Sequence, residues 1–184
     1  MRRLALCAAV FGFAWVLEAH VTPNVVLVRR GDFVKESLAG ASKFFEKTLG
    51  ASAIAAVRAR TGWTPSGEDA KVYVGRDGDG RLVGSVVFLW VPSQHGPLSL
   101  GVAFGPDGRV RRATVLEVGT EPLAWVHALL QDGVLAGVEG LAPSEPPDPS
   151  RIGPRAAGAM SRYYAKVIAG GITRAQAVER ASAS

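Results

Sequence analysis

The stretch HGPLSLGVAFGPDGRVRRATVLEV, residues 95–118, decides the fold. It predicts two strands, residues 98–104 and 109–118, joined by a Gly-Pro-Asp-Gly turn. In the second strand apolar residues alternate with charged or polar ones, which is typical of a strand with one buried face. Strands joined by so short a turn run antiparallel, so the stretch predicts an antiparallel sheet.

The same pattern precedes this stretch. Residues 71–76 and 81–91 are rich in β-formers, and the turn string Asp-Gly-Asp-Gly at residues 77–80 separates them. Four strands in succession predict a meander. Residues 25–28 are β-branched but too short to assign.

Helical patterns surround the sheet. Apolar residues at helical spacing predict a helix from Asp32 to Gly50, and further helices are predicted over the ranges 52–60, 121–131, 156–169 and 173–183. Gly170 and Gly171 are the predicted stop between the last two. The proline-rich residues 142–154 predict an extended connection. The expected fold class is therefore α+β, an antiparallel sheet of about four to six strands flanked by helices.

The N-terminus differs from the rest of the chain. Arg2 and Arg3 precede fourteen uncharged residues, 4–17, which as a helix would span about 21 Å. A bilayer core is about 30 Å thick, so residues 1–20 favour a secretory signal peptide over a retained membrane anchor or a buried structural helix. In both membrane-directed cases the remaining chain is expected to be periplasmic or otherwise extracytoplasmic, either secreted or anchored to the membrane.

Composition excludes several kinds of site. The chain has 184 residues, a single cysteine and a net charge of +5 without a basic run. One cysteine excludes an intrachain disulfide, a Cys-based zinc site and an iron–sulfur cluster. The scattered charge disfavours a nucleic-acid binder. The three histidines are far apart, and no catalytic nucleophile arrangement supports a hydrolase.

From residue 71 to residue 171 the order of elements resembles the FMN-binding domain. That domain occurs in exported flavoprotein subunits of the Rnf and sodium-pumping NADH:quinone reductase complexes and in stand-alone extracytoplasmic proteins. The run of residues 95–118 carries most of the resemblance, and Thr120-Glu121-Pro122-Leu123 is similar to the family's E-T-P-G element. The resemblance implies a domain at residues 71–184, with residues 21–70 expected as a helical segment that packs on it.

The family's flavin chemistry resides in an S-G-A-T motif that opens a late helix, where the threonine takes the FMN phosphate in a phosphoester bond. The matching string here is Ala157-Gly158-Ala159-Met160. A thioether has no hydroxyl to esterify, so no covalent flavin is expected. Ser161 follows one residue later, which on a helix is a rotation of about 100°.

The resemblance implies a cofactor region. In it, His95 and Trp125 could contact a flavin ring, and Glu117 and Glu121 could bind the polar edges of that ring. Each of these side chains also has an ordinary structural interpretation, as a surface histidine, a core tryptophan or solvated carboxylates. The candidate site residues are His95, Gly96, Glu117, Glu121, Trp125, Gly158, Ala159 and Met160.

The sequence leaves three functions open. The first, which is the prediction, is a non-catalytic accessory or docking subunit of a membrane electron-transport complex, attached to the membrane if the N-terminal helix is not cleaved. The second is an electron-transfer protein that binds FMN non-covalently, with Gly158, Arg155 and Arg162 around the phosphate. The third is an unrelated small-ligand or sensor module.

Overall fold

The structure is a computed structural model, and it describes residues 23–131, 133–152 and 158–183. Its strands are β1 (Asn24–Val26), β2 (Lys43–Thr48), β3 (Lys71–Arg76), β4 (Leu82–Val91), β5 (Leu98–Phe104) and β6 (Val110–Gly119). Its α-helices are α1 (Arg30–Ser37), α2 (Ala51–Thr61), α3 (Leu123–Gln131), α4 (Pro149–Ile152) and α5 (Ala159–Ala183). Two 3₁₀ helices, Gly67–Ala70 and Val134–Val138, complete the secondary structure.

All six strands form one antiparallel sheet in the order β1-β6-β5-β4-β3-β2. The meander expected from the sequence is present, and β2 extends it at one edge while β1 pairs with β6 at the other. The α+β class with an antiparallel sheet and flanking helices is therefore confirmed. The signal or anchor helix expected over residues 1–20 lies outside the described residues.

The two Asp-Gly turns form the hairpins that the sequence predicts. Gly80 has φ 83° and Gly108 has φ 74°, a left-handed conformation that glycine adopts without steric cost. In the first turn the backbone N–H of Arg81 donates to Asp77 Oδ1 at 2.8 Å. Both turns thereby fix the register of the strands that they join.

Each face of the sheet has its own helical cover. Helix α1 crosses one face, where Phe33 and Leu38 pack with Phe88 of β4 and Leu116 of β6. The other face is covered by α5, together with α2 and α3, and holds the larger core. We call these the α1 face and the α5 face.

The helix expected from Asp32 to Gly50 is wrong in its second half. Helix α1 ends at Ser37, Gly40 has φ 95°, and residues 43–48 form strand β2 along the edge of β3. The apolar spacing fits a helix, but β3 offers a row of unpaired backbone groups that a strand can satisfy. The segment expected to be helical over residues 21–70 is thus not simply helical in its described part, residues 23–70, because that part supplies both edge strands of the sheet.

Two further expectations are wrong near the C-terminus. Gly170 and Gly171 do not end a helix, because α5 runs unbroken through both. A Cβ on Gly171 would lie 2.4 Å from Leu100 Cδ1, so this glycine lets α5 approach β5 closely. The proline-rich connection is not wholly extended, since residues 149–152 form the short helix α4.

Candidate functional site

Three segments that are distant in the chain meet beside the first turns of α5. They are the loop of residues 92–97 between β4 and β5, the turn of residues 120–122 after β6, and helix α3. The loop lies directly on the end of β6, because a Cβ on Gly119 would be 3.5 Å from the carbonyl oxygen of His95. We call this region the His95 end.

His95 and Glu121 form a direct pair. Nδ1 of His95 lies 2.7 Å from Oε1 of Glu121, and the two side chains are 28% and 55% exposed. A pair this accessible to water contributes little stability, about 0–1 kcal/mol. Its structural effect is to hold the imidazole in one orientation at the loop surface.

Trp125 connects this pair to α5. Its ring centroid lies 5.3 Å from that of His95, and it is stacked on Tyr164 at 6.0 Å with 16° between the planes. Tyr163 completes the cluster in an edge-to-face contact with Tyr164 at 5.1 Å. Such aromatic pairs are favourable by about 0.5–1.5 kcal/mol beyond the area that they bury.

The hydroxyls of the two tyrosines connect the loop of residues 92–97 to α5 by hydrogen bonds. Ser93 Oγ donates to the carbonyl of Gly96, so the Tyr164 hydroxyl, 3.2 Å away, can donate to Ser93 Oγ. The backbone N–H of Gln94 donates to the Tyr163 hydroxyl at 3.0 Å. Tyr164 is fully buried, and this burial raises the pKa of its phenol above the ordinary value.

The start of α5 carries the string that resembles the flavin motif. Gly158 and Ala159 are exposed, and the backbone N–H of Arg162 donates to the Gly158 carbonyl at 3.1 Å. Met160 is half-buried, and its side chain packs against the larger core. Residues 153–157, which include Ala157 and Arg155, lie outside the described residues.

The structure does not bring Glu117 into this cluster. It lies opposite Ser99 and Val26, next to Val118, whose side chain belongs to the core of the α5 face. The strand pairing shifts register between Ser99 and Leu100, so Glu117 does not alternate with Leu116 but points, like it, to the α1 face. Gly96 does belong to the His95 end, since its carbonyl accepts the Ser93 hydroxyl.

A cavity of about 330 Å³ lies next to the cluster, between the end of β4 and α5. Its lining includes Tyr163, Lys166 and Arg174, together with Val91 and Pro92. The Arg174 guanidinium also lies over the ring of Trp63, 5.3 Å from its centroid. Ligand pockets usually measure about 300–1,000 Å³, so this cavity is at the lower limit for a small ligand with an anionic group.

Neither a metal-binding cluster nor a membrane-spanning helix is found in residues 23–131, 133–152 and 158–183. Within them, no group of three or more His, Cys, Asp or Glu side chains could hold a metal ion. None of the helices in those ranges is both long enough and apolar enough to cross a bilayer.

Of the eight candidate residues predicted from the sequence, the structure brings His95, Gly96, Glu121 and Trp125 together beside the start of α5, which carries Gly158, Ala159 and Met160, and it leaves Glu117 outside the cluster. Ser93, Tyr163 and Tyr164, which connect the loop to the helix, are not among the eight. The two adjacent aromatic residues 163–164, one helical turn into α5, are the feature of the sequence that could have indicated this contact.

In comparisons with protein-family models, with curated proteins and with solved structures, nothing matches this chain.

Proposed function

We propose that this chain is an extracytoplasmic, FMN-binding-domain-like accessory subunit that docks on a membrane electron-transport complex and carries no covalent flavin. The single observation that carries the proposal is the state of Met160. Its thioether stands where the resembling family has the acceptor threonine, offers no hydroxyl to esterify, and packs against the core of the α5 face.

The aromatic side chains of the His95 end support the same interpretation. Trp125 is already in contact with both His95 and Tyr164, and the tyrosine hydroxyls bond to the loop. Flavin stacking would require at least part of this internal packing to open. Because these side chains already make their ring contacts and hydrogen bonds with one another and with the loop, the cluster suits a rigid docking module better than a site that stacks on a flavin ring.

The first experiment tests for a covalent flavin. We expect the wild-type protein, produced with a flavin-attaching transferase and then denatured, to show neither 450 nm absorbance nor an FMN mass adduct. The double variant Ala157→Ser/Met160→Thr restores the motif and is expected to gain the adduct, with Ala157→Ser alone as the matched control. A wild-type adduct would overturn the proposal, and a double variant without one would count against the family resemblance.

The docking role has its own test. The tagged chain is cross-linked in native membranes, and the cross-linked peptides are identified by mass spectrometry. We expect cross-links to subunits of a redox complex, from the exported side. Cross-links distributed over unrelated abundant proteins would contradict a docking function.

The cavity beside Tyr163 favours a second candidate, non-covalent FMN binding. Lys166 and Arg174 could pair with a phosphate there, because an ammonium and a guanidinium both form charge-assisted hydrogen bonds to phosphate oxygens. Quenching of FMN fluorescence by the purified chain measures this binding. Lys166→Met and Arg174→Met are then expected to weaken it at least tenfold, whereas the exposed Arg58→Met in α2 leaves it unchanged. No quenching at millimolar FMN would exclude this candidate.

A further inference from the structure

The largest exposed aromatic surface of the described residues lies at the other end of the sheet. Phe44 and Phe45 are adjacent in edge strand β2 and remain 55% and 50% exposed. All six residues of β2 are exposed. The two rings point to opposite faces of the sheet, so together they form an apolar ridge along its edge.

A cavity of about 660 Å³ adjoins this ridge on the α1 face. Its walls come from α1 and the turn that follows it, and Phe44 forms one side. Apart from Lys35, every lining residue is apolar or glycine, including Val34, Leu38 and Ala41. We call the ridge and this cavity together the α1–β2 corner.

The charge around the corner is net positive, since residues 29–48 carry five basic side chains against three acidic ones, Asp32, Glu36 and Glu46. Lys35 and Lys43 are exposed and take part in none of the ion pairs formed by the described residues. The carboxylate of Glu46 is paired with Lys71 at 3.1 Å. The Lys47 ammonium donates to the Ser182 carbonyl. An occupant of this surface must therefore combine an apolar part with negative charge.

A second copy of the strand fits poorly. Antiparallel pairing centred on Phe45 places Lys43 opposite Lys47 of the copy, and pairing centred on Glu46 places two carboxylates opposite each other. Like charges directly opposite are destabilising, and lysine on an edge strand is a common protection against edge pairing. Pairing centred on Phe44 overlaps only three residues of β2, since the strand begins at Lys43.

We infer that the α1–β2 corner docks on an anionic bilayer surface. Phe44 and Phe45 enter the boundary between headgroups and acyl chains, a depth of about 5–10 Å, and Lys35 and Lys43 lie at the level of the lipid phosphates. This contact goes beyond the proposed docking function and is independent of flavin and of the partner complex. It would orient the chain with its His95 end directed away from this lipid contact.

The experiment places a polarity-sensitive NBD label at the corner of the full-length chain. Cys7→Ser removes the native thiol, and Ser42→Cys carries the label at the start of β2. Ser144→Cys, exposed in the proline-rich connection, is the control position. Vesicles contain either phosphatidylcholine alone or phosphatidylcholine with 30% phosphatidylglycerol. Doxyl-labelled lipids report depth, so association through the N-terminal segment does not imitate insertion of the corner.

We expect a blue shift and doxyl quenching at position 42 with the anionic vesicles, and neither at position 144. Phe44→Ser/Phe45→Ser is expected to abolish the shift with an unchanged far-UV spectrum. Lys35→Gln/Lys43→Gln is expected to weaken partitioning about fivefold per lysine. Equal signals at both positions, or no shift at position 42, would overturn the inference. A dimer in solution that Phe44→Ser/Phe45→Ser dissolves would assign the corner to a second copy instead.

Discussion

The His95 end and the α1–β2 corner both carry aromatic side chains, but they use them in opposite ways. At the His95 end, Tyr164 contacts both Trp125 and Tyr163, and the two tyrosine hydroxyls form hydrogen bonds to the loop. At the corner, Phe44 and Phe45 are half exposed on edge strand β2, which pairs with β3 on one side only. The first arrangement stabilises the fold, and the second leaves apolar surface available for a partner.

This difference teaches that a residue type alone does not indicate its role. The resemblance draws attention to the aromatics near the flavin motif, yet those are the ones that the protein uses internally. The exposed pair lies in a segment that the sequence predicts to be an ordinary amphipathic helix. Function should therefore be sought first where aromatic surface remains exposed without a structural reason.

Tyr164→Ala should have the largest effect on stability. The side chain is fully buried and connects Trp125, Tyr163 and Ser93. Its removal should lower the free energy of unfolding by about 3–5 kcal/mol. For a chain of this size the melting temperature should then fall by roughly 6–20 °C in calorimetry. Tyr164→Phe, which removes only the hydroxyl, should cost about 1 kcal/mol. A small effect of Tyr164→Ala would show that the cluster does not stabilise the fold.

Gly171→Ala should have the next largest effect. The added methyl would lie 2.4 Å from Leu100 Cδ1 and 2.7 Å from Val91 Cγ2, so α5 must move or the core must repack. We expect a loss of about 1–3 kcal/mol in urea unfolding. Gly170 is the matched control, since a Cβ there meets nothing within 4 Å. Gly170→Ala should stabilise α5 by about 0.5–1 kcal/mol. Equal effects of the two substitutions would contradict the close packing of α5 on the sheet.

The strands of the meander could be predicted from the sequence because their signals are local. Alternating apolar residues and Asp-Gly turns specify β3 to β6 without reference to the rest of the chain. Strand β2 could not be predicted, because its helical spacing is overridden by the open edge of β3. The continuity of α5 could not be predicted either. From the sequence alone Gly171 indicates a helix end, whereas in the structure it is the residue that lets α5 pack closely on the sheet.

The candidate site was predictable only in part. The resemblance led to His95, Glu121 and Trp125, which do lie together. It also led to Glu117. The face of the sheet to which Glu117 points depends on how side chains alternate along β6. The register shift between Ser99 and Leu100 interrupts this alternation, and nothing in the sequence indicates such a shift.

Glu179→Gln tests whether a buried carboxylate destabilises the protein where α5 approaches β2, between the His95 end and the α1–β2 corner. Burial raises the pKa of Glu179 above its ordinary value of 4.5, and the nearby Ser85 and Lys47 offset only part of this effect. Its Oε2 atom is buried without a hydrogen-bond partner. A raised pKa means that the folded state holds the proton more tightly, so this contribution to stability is complete below pH 4.5 and is lost at higher pH.

Glu179→Gln should therefore stabilise the protein at pH 7.5, by about 1 kcal/mol, because no carboxylate need be buried there. The difference from wild type should disappear below pH 4.5. Thermal unfolding measured from pH 4 to pH 8 gives both profiles. Glu139→Gln, at an exposed position away from this contact, is the control and should leave the profile unchanged. A variant that is less stable than wild type at pH 7.5 would mean that the ionised carboxylate is favourably paired.

Phe44→Ser/Phe45→Ser should have the smallest effect on stability, although it removes two whole aromatic rings. Half of each ring is already in water, and substitutions at exposed strand positions change stability by about 1 kcal/mol or less. Unfolding in urea should thus give nearly the wild-type midpoint, while light scattering at high concentration should fall. A loss as large as that of Tyr164→Ala would mean that the ridge is part of the core. The two ends of the sheet would then differ in exposure but not in role, and the corner would have no surface to offer a bilayer.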